Sequence, residues 1–190
     1  MTSYPDARGE SGGPREPTGW RDAVGPGEFR EAMGRLAAGV SVVTSVDSEG
    51  LPRGLTATAV CSVSLVPPLV LASVSGGTST HAAIEHAQVF ALNLLGRGEE
   101  KVARRFALAI ESKFADLDWR EGVTGSPILT EALAVCECEL EQAVPAGDHT
   151  LFIGRVVWID VNRSVPNDPL IYFSGRYEAI SGSGPDGGSP

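Results

Sequence analysis

The sequence predicts a mainly β protein with a few helices, arranged as an antiparallel barrel, and three observations lead to this fold class. Strand-like segments outnumber helical ones, hairpin-like turns join many neighbouring strands, and one long strand alternates cleanly between apolar and charged residues. Short turns connect antiparallel strands, whereas a parallel doubly wound sheet needs a helix between successive strands. At 190 residues the chain can bury a sizeable core within one domain.

The first elements follow from hydrophobic periodicity. Phe29, Met33, Leu36 and Ala37 share one face of a helix that should stop at Gly39. The predicted strands that follow are 40–46, 51–65, 69–74, 89–95, 132–144, 150–161 and a last one, LIYFSGRYEAI. A turn at 47–50 separates the first two. Two further helices are predicted, a short one from about residue 79 and one holding residues 102–108, and the stretch after the second is expected to be irregular as far as residue 129.

The two longest of the later strands differ in their patterns. Along 132–144, the residues on one face should lie in the core, namely Ala134, Cys136, Cys138 and Leu140. The other face carries Glu137, Glu139 and Glu141 and is predicted to be solvated. The 150–161 strand is apolar on both faces, which predicts a central position in the sheet or a subunit contact.

Composition excludes several classes of function. A formal net charge of −9 argues against nucleic acid and against anionic membranes, both of which require cationic surfaces. Three cysteines, an odd and small number, fit a reducing compartment better than a disulfide-linked protein. The amino terminus has no apolar signal segment, and no run of apolar residues is long enough to span a bilayer. We therefore expect a cytoplasmic protein. We expect a disordered tail at 1–26, a folded domain at 27–180 and a flexible tail at 181–190.

The 51–65 segment carries the most informative pattern. Its even positions include four hydroxyl residues, Thr56, Thr58, Ser62 and Ser64, and its odd positions are apolar. If the segment is one strand, these hydroxyls share a face and can approach a flat polar ring. A strand with one solvated face explains the same pattern.

Two further segments carry candidate ligand-binding residues. In 75–81, glycines precede Ser79, Thr80 and His81 at a helix start, where backbone N–H groups and hydroxyls can bind phosphate. A plain loop with a helix cap is the alternative. Lys113 can neutralise a ligand phosphate and Phe114 can pack on a ring, although a solvated charge beside a core aromatic is the commoner arrangement.

The Gly147-Asp148-His149 segment lies at a predicted hairpin end. Turn geometry explains Gly147 and Asp148, but not His149, which can bind a carboxamide or move a proton. No metal site is predicted, because Cys136 and Cys138 lack zinc-site spacing and a second ligand pair.

Taken in order, six stretches resemble the flavin reductase family that supplies reduced flavin to two-component monooxygenases. They are FREAMGRLAAGVSVVTS, GLTATAVCSVSLVPPLVLASV, TSTHAAIEHAQVFALNLL, ESKFADLDWREGVTGSPIL, GDHTLFIGRV and PLIYFSGRYEAI. The resemblance implies an FMN-binding split β-barrel and a homodimer with flavin near the subunit contact. It also implies electron transfer from NADH or NADPH to FAD or FMN, after which the reduced flavin diffuses to a monooxygenase partner.

The resemblance also assigns roles by position. The flavin-ring segment corresponds to Thr56, Ala57, Thr58, Ala59, Val60, Cys61, Ser62, Ser64 and Leu65. Ser79, Thr80 and His81 resemble the phosphate and ribose segment, Lys113 and Phe114 a further flavin contact, and Tyr177 a carboxyl-terminal contact. His149, after Gly147 and Asp148, resembles the histidine that contacts and orients the nicotinamide.

One departure from the family leaves the choice of flavin open. Many relatives have Asn or Gln, then Ser and an aromatic residue, where this chain has Thr58, Ala59 and Val60, so backbone groups must bind more of the ring. No arginine cluster marks a 2′-phosphate pocket in the sequence, which favours NADH. Two other functions remain open: an enzyme that holds its flavin permanently and acts on an organic substrate, and a non-enzymatic flavin- or haem-binding module.

Overall fold

The computed structural model of this chain describes residues 24–178 and Ile180. The helices in this part of the chain are Pro26–Met33 (α1), Ser79–Ala87 (α2) and Glu100–Ala107 (α3), with a 3₁₀ turn at Arg97–Glu99. The strands are Ala38–Gly39 (β1), Ser41–Val46 (β2), Pro52–Ala57 (β3), Val60–Leu65 (β4), Pro68–Ser75 (β5), Val89–Leu94 (β6), Trp119–Glu121 (β7), Pro127–Leu129 (β8), Ala134–Ala146 (β9), His149–Val161 (β10), Ile171–Phe173 (β11) and Arg176–Glu178 (β12). None of the helices described is long and apolar enough to cross a membrane. The predicted tails lie outside the described residues, except for 24–26.

One antiparallel sheet of seven strands dominates the molecule, in the order β3-β2-β6-β9-β10-β5-β4. Two small sheets, β1-β11-β12 and β7-β8, accompany it. The prediction of a mainly β, antiparallel protein with few helices is therefore confirmed. The edge strands β3 and β4 are consecutive in the chain, with only Thr58 and Ala59 between them, so the sheet must curl until its edges approach. Among the described strands, β3 and β4 do not pair with each other, so the sheet curls without closing.

Both faces of the curled sheet are buried at β2. Val42 and Val43 are neighbours on this strand, are both completely buried and belong to different hydrophobic clusters. Because adjacent side chains of a strand point to opposite faces, the two clusters lie on opposite sides of the sheet. Ile84 of α2 packs in the Val43 cluster and Phe106 of α3 in the Val42 cluster. Each helix therefore covers one face, and the ends of both helices contribute to the site described below.

The prediction of a single strand over 51–65 is wrong. The chain leaves β3 at Ala57 and enters β4 at Val60, and these strands lie at opposite edges of the sheet. Side-chain alternation does not continue through the break, so the four hydroxyl residues do not form one row. The pattern looked continuous because β-branched and small residues run through the corner at Thr58 and Ala59 without a Gly or Pro.

Three other element predictions need correction. The first helix ends at Met33, before Gly39, and buries none of its residues. The stretch expected to be irregular contains the β7-β8 hairpin. The last predicted strand is a hairpin of β11 and β12, in which Ser174 (φ 48°) and Gly175 (φ 78°) form the turn. Positive φ at both central residues is typical of a type I′ turn. The dipeptide Ser-Gly is a weaker sequence signal for such a turn than Asn-Gly, so the hairpin was predicted as one strand.

The predicted solvated face of β9 is also wrong at Glu137, which is completely buried. Its carboxylate accepts hydrogen bonds from the backbone N–H groups of Val123 and Thr124 and from the Thr124 hydroxyl. The carboxylate thereby satisfies the donors of the loop between β7 and β8, which an alternation pattern cannot reveal.

The interpretation of the 150–161 strand as central is confirmed for its first half. From His149 to Arg155, β10 pairs with β5 on one side and with β9 on the other. Beyond Arg155 its partner among the described strands is β9 alone, and this half exposes Val157, Ile159 and Val161.

Candidate functional site

A cavity of about 670 Å³ opens beside the corner between β3 and β4. The candidate residues on its wall are Thr56, Ala57, Thr58, Ala59, Ser79, Thr80, Lys113 and His149. The rest of the wall consists of Arg53, Leu55, Ser73, Ser75, Gly77, Thr78, Phe106 and residues 107–111. The fold thus brings together segments from four parts of the chain, each of which carries residues selected from the sequence.

The corner supplies backbone rather than a row of hydroxyls. Thr58 and Ala59 belong to neither strand and are exposed, and the Ala59 carbonyl accepts a hydrogen bond from the Ser73 N–H at 2.9 Å. The Thr56 hydroxyl donates to the Ala103 carbonyl at 2.6 Å, which ties β3 to α3. The corner therefore offers a ligand mainly the peptide groups and small side chains at Thr58 and Ala59.

The start of α2 forms a second part of the wall. Thr78 caps the helix by accepting a hydrogen bond from the His81 N–H at 3.2 Å, and its hydroxyl donates to the Ser75 carbonyl at 3.0 Å. Gly77 precedes the cap with a φ of 74°, which favours glycine. Ser79 and Thr80 in the first turn line the cavity. A helix amino terminus carries positive potential and free N–H groups, so this part of the wall suits a phosphate.

The His81 side chain lies behind the wall. Its Nε2 is 2.8 Å from the Thr150 hydroxyl, its Nδ1 is 3.4 Å from a Glu85 carboxylate oxygen, and its ring is tilted against Phe152 at 5.2 Å. These contacts join α2 to the start of β10. His81 does not line the cavity, but it links the element that carries Ser79 and Thr80 to the element that carries His149.

Lys113 lines the cavity and also braces it. Its Nζ donates to the carbonyls of Gly54 and Phe106, at 2.9 and 3.1 Å, which ties the segment after α3 to β3. Partial burial lowers the pKa of Lys113. Phe114 is buried and packs edge-on against Phe106, with ring centroids 4.9 Å apart. Phe114 therefore supports the wall from behind.

His149 stands at the tip of the β9-β10 hairpin. Gly147, with a φ of 67°, and Asp148 form the two-residue turn, and His149 opens β10 opposite Ser75 of β5. The His149 Nδ1 lies 2.7 Å from the Asp148 carboxylate. This hydrogen bond is the main cause of the lowered pKa of Asp148. Because a carboxylate only accepts, Nδ1 carries the hydrogen, and Nε2 is left for a ligand.

Several candidate residues lie away from the cavity wall. Gly147 and Asp148 form the turn before His149, and Asp148 bonds to the His149 ring. Tyr177 packs against Tyr172 with ring centroids 5.2 Å apart and lies under the Arg104 guanidinium, and burial raises its pKa. The β4 residues Val60, Cys61, Ser62, Ser64 and Leu65 follow the corner onto the edge strand, where Cys61, Ser62 and Leu65 are exposed.

The segment that follows α3 was missed as part of the site. Residues 107–111 line the cavity, and Leu108 and Ile110 remain 56% and 44% exposed there. The sequence did offer a signal for this segment. An apolar run, Ala-Leu-Ala-Ile at 107–110, comes at the end of a helix and is not followed by a strand that would bury it. Gly54 was also missed: a Cβ at this position would lie 2.6 Å from the Phe106 ring, so glycine lets that ring pack against β3.

Comparison with known proteins points in one direction. Residues 33–181 match the model of the family described as "Flavin reductase like domain". The reductase subunit HsaB of a flavin-dependent monooxygenase from Rhodococcus jostii (strain RHA1) is 36% identical over 159 residues, which cover 84% of this chain and 80% of HsaB. A flavin reductase (NADH) from Kitasatospora aureofaciens is 38% identical over 151 residues, 78% of each chain.

A solved structure agrees with these relatives. The NADH:FAD oxidoreductase SgcE6 of Streptomyces globisporus C-1027, solved in complex with NAD and FAD fragments, superposes with a TM-score of 0.77 at 33% identity. The match covers 86% of this chain and 99% of that one.

Proposed function

The chain belongs to the flavin reductase-like family, and from this premise we propose that the cavity at the Thr58–Ala59 corner is its active site. The protein is an NAD(P)H:flavin oxidoreductase that transfers a hydride from a nicotinamide cofactor to FAD or FMN. One observation supports the choice of cavity: the corner, the start of α2 and His149 lie around the same 670 Å³ space. The bound flavin supplies the acceptor for the hydride, and the protein supplies binding and orientation.

The residues present fit a flavin. Peptide groups at Thr58 and Ala59 bind the edge of the ring, where bulky side chains are absent and the backbone lies outside both strands. Ser79, Thr80 and the amino terminus of α2 bind the phosphate. Lys113 adds a positive charge beside the same space.

His149 positions the nicotinamide. With Nδ1 bonded to Asp148, Nε2 accepts a hydrogen bond from the carboxamide and sets the orientation of its ring. Ser75, directly opposite on β5, also lines the cavity. Close and aligned placement of two reactants supplies most of the acceleration, so His149 needs to remove no proton. The apolar side chains of Leu55, Leu108 and Ile110 keep water from the space between the rings.

The protein acts as a homodimer with a split β-barrel fold. The β4-β5 turn exposes Leu65 and Val66 by 86% and 88%, and the register of β5 with β10 places this turn near the strand half that exposes Val157, Ile159 and Val161. Exposed apolar patches of this kind mark protein contacts. A second copy packed here would cover the free edge at β4, and the candidates from Val60 to Leu65 would lie at the subunit contact, near the flavin.

The reduced flavin is passed to a monooxygenase component. HsaB, one of the relatives, carries the name of the reductase subunit of a flavin-dependent monooxygenase. Transfer occurs by diffusion of the reduced flavin. The protein functions in the cytoplasm. The reducing conditions there suit a protein with three free cysteines, Cys61, Cys136 and Cys138.

The test is steady-state oxidation of NADH and NADPH with FMN and with FAD, in a two-by-two matrix. We expect turnover with at least one flavin, a preference for NADH, and anaerobic bleaching of the flavin colour. Absence of NAD(P)H consumption with both flavins would contradict the proposal and favour a flavin- or haem-binding module. Flavin that stays bound through gel filtration and exchanges slowly would instead favour an enzyme acting on an organic substrate.

A further inference from the structure

The ring of His81, on α2, packs against the back of the strand that begins with His149. Its Nε2 lies 2.8 Å from the Thr150 hydroxyl, and its centroid is 5.2 Å from that of the Phe152 ring. Thr150 and Phe152 are alternate residues of β10, so their side chains share one face of the strand, and His149 points to the other. His149 lines the cavity on that other face. His81 therefore lies directly behind the residue assigned to the nicotinamide.

The direction of this hydrogen bond follows from the second partner of the ring. The Nδ1 of His81 is 3.4 Å from a Glu85 carboxylate oxygen. A carboxylate only accepts, so Nδ1 carries the hydrogen and Nε2 accepts from the Thr150 hydroxyl. The bond is shielded from water, since the His81 side chain is 14% exposed and Thr150 is 9% exposed. Its loss is costly, because a buried hydroxyl would be left without its acceptor.

The backbone of His81 is tied to the neighbouring strand β5. Its N–H donates to the Thr78 hydroxyl at 3.2 Å, and that hydroxyl donates to the Ser75 carbonyl at 3.0 Å. Ser75 is the residue opposite His149 in the pairing of β5 with β10. The side chain and the backbone of His81 thus reach the two strands that meet at His149.

The hairpin tip itself is weakly held. The His149 side chain is 42% exposed and bonds to Asp148, whose side chain is 93% exposed. The Gly76 N–H donates to the Asp148 carbonyl at 2.9 Å, which ties the backbone of the turn to β5. Thr150 is the first buried residue after the turn. Its bond to His81 is therefore the buried side-chain contact nearest to His149 along the chain.

We propose that His81 is a positioning residue for hydride transfer, which acts through Thr150 to hold His149 in place relative to the first turn of α2. This inference rests on the proposed function and extends it. The same turn carries Ser79 and Thr80, assigned above to the flavin phosphate, so the spacing of α2 and β10 sets how the two ligands meet. Misplacement by about 1 Å can cost on the order of a hundredfold in rate.

The experiment compares His81→Ala and Thr150→Val with the full-length wild type. His86→Ala is the matched control, because His86 lies on the same helix, is exposed, and its side chain has no hydrogen bond, ion pair or ring contact among the described residues. With flavin saturating, kcat/KM for NADH should fall about fivefold in both test variants and stay constant in the control. The Kd for flavin should not change. Thr150→Ser, which keeps the hydroxyl, should retain more activity than Thr150→Val.

A double variant separates positioning from a general loss of structure. If His81 acts on the nicotinamide through His149, adding His81→Ala to His149→Ala should cause no further fall in kcat/KM. Independent effects would multiply instead, and that result would overturn the proposal. Thermal melts report folding in each variant, and Thr150→Val, which keeps the shape of the side chain, replaces His81→Ala in the cycle if the latter does not fold.

A spectroscopic readout does not depend on activity. The chain has three histidines, so their ring nitrogen NMR signals can be assigned by removing each in turn. The His149 signals should shift in His81→Ala and stay constant in His86→Ala. The inference is overturned if the His149 signals, or the values of kcat/KM, are the same in these two variants. Failure of the proposed function would look different, since the wild type would then oxidise neither NADH nor NADPH, while the His149 signals would still report its placement by His81.

Discussion

The hairpin formed by β9 and β10 uses a carboxylate in each of two regions, and the two carboxylates do different work. In its body, Glu137 is completely buried and satisfies three donors of the β7-β8 loop. At its tip, the Asp148 side chain is 93% exposed and bonds to the ring of His149. Because Glu137 is buried, its hydrogen bonds are needed for the stability of the fold. Asp148 is exposed and contributes little to stability, so it can instead orient a ligand-binding residue.

The largest expected effect is that of Glu137→Ala. Two backbone N–H groups and a hydroxyl would lose their acceptor inside the protein, so the free energy of unfolding should fall by about 3 kcal/mol. Urea denaturation measures this, with Glu139→Ala as the control, since Glu139 pairs with Arg155 at the surface and should contribute about 1 kcal/mol or less. Equal losses in both variants would erase the contrast between a buried and an exposed carboxylate.

Gly154→Ala tests the body of the hairpin through packing. A Cβ at Gly154 would lie 2.5 Å from the Phe90 ring and 2.7 Å from the Cys138 Cβ, so overpacking should lower the free energy of unfolding by about 2 kcal/mol. Gly147→Ala at the tip meets nothing within 4 Å, but its φ of 67° predicts a loss of about 1 kcal/mol. A greater loss at Gly147 than at Gly154 would mean that the turn, rather than the interior, limits stability.

His149→Ala tests the tip through catalysis. We expect kcat/KM for NADH to fall about tenfold, equivalent to ~1.4 kcal/mol, because the nicotinamide loses its orienting hydrogen bond. The Kd for flavin should stay near the wild-type value, and so should stability. If flavin binding collapses while nicotinamide kinetics are unchanged, the role assigned to His149 is wrong.

The smallest expected effect is that of Asp148→Asn, which alters the partner of His149 and leaves the ring in place. The KM for NADH should rise severalfold, less than in His149→Ala, with stability unchanged. In the wild type, the lowered pKa of Asp148 means that its contribution is present at neutral pH and is lost as the pH falls through that lowered value. A pH profile of KM should show this loss in the wild type only. Identical profiles for both proteins would indicate that Asp148 does not orient His149.

Part of the site was predictable because its residues stand in short, recognisable patterns of the sequence. His149 follows a turn whose Gly and Asp are explained by the turn itself, and Ser79 and Thr80 follow a helix cap. Both segments lie on the cavity wall in the structure. Their roles in binding stay predictions, to be checked by the variants above.

Other residues could not be placed from the sequence, since their environment depends on distant segments. The break at Thr58 and Ala59 follows from β3 and β4 belonging to opposite edges of a curled sheet, which no local signal marks. His81 turns away from the cavity because Thr150, 69 residues later, offers its ring a partner. A cavity of about 430 Å³ brings Arg30 of α1 and Arg35 together with Arg176, which lies some way along the chain, so the sequence shows no cluster there.

The amino-acid sequence alone determined the antiparallel β class, the positions of most strands and the order of the motifs that indicate a flavin reductase, because these depend on periodicity and turn chemistry within short windows. Tertiary structure decided which of those residues meet. The curling of the sheet moves β4 away from the cavity. The loop between β7 and β8 meets the buried Glu137, and a backbone hydrogen bond from Ser174 to Gly34 joins the end of α1 to the hairpin at the carboxyl end. These outcomes depend on contacts between segments far apart in the chain, and a local pattern does not encode them.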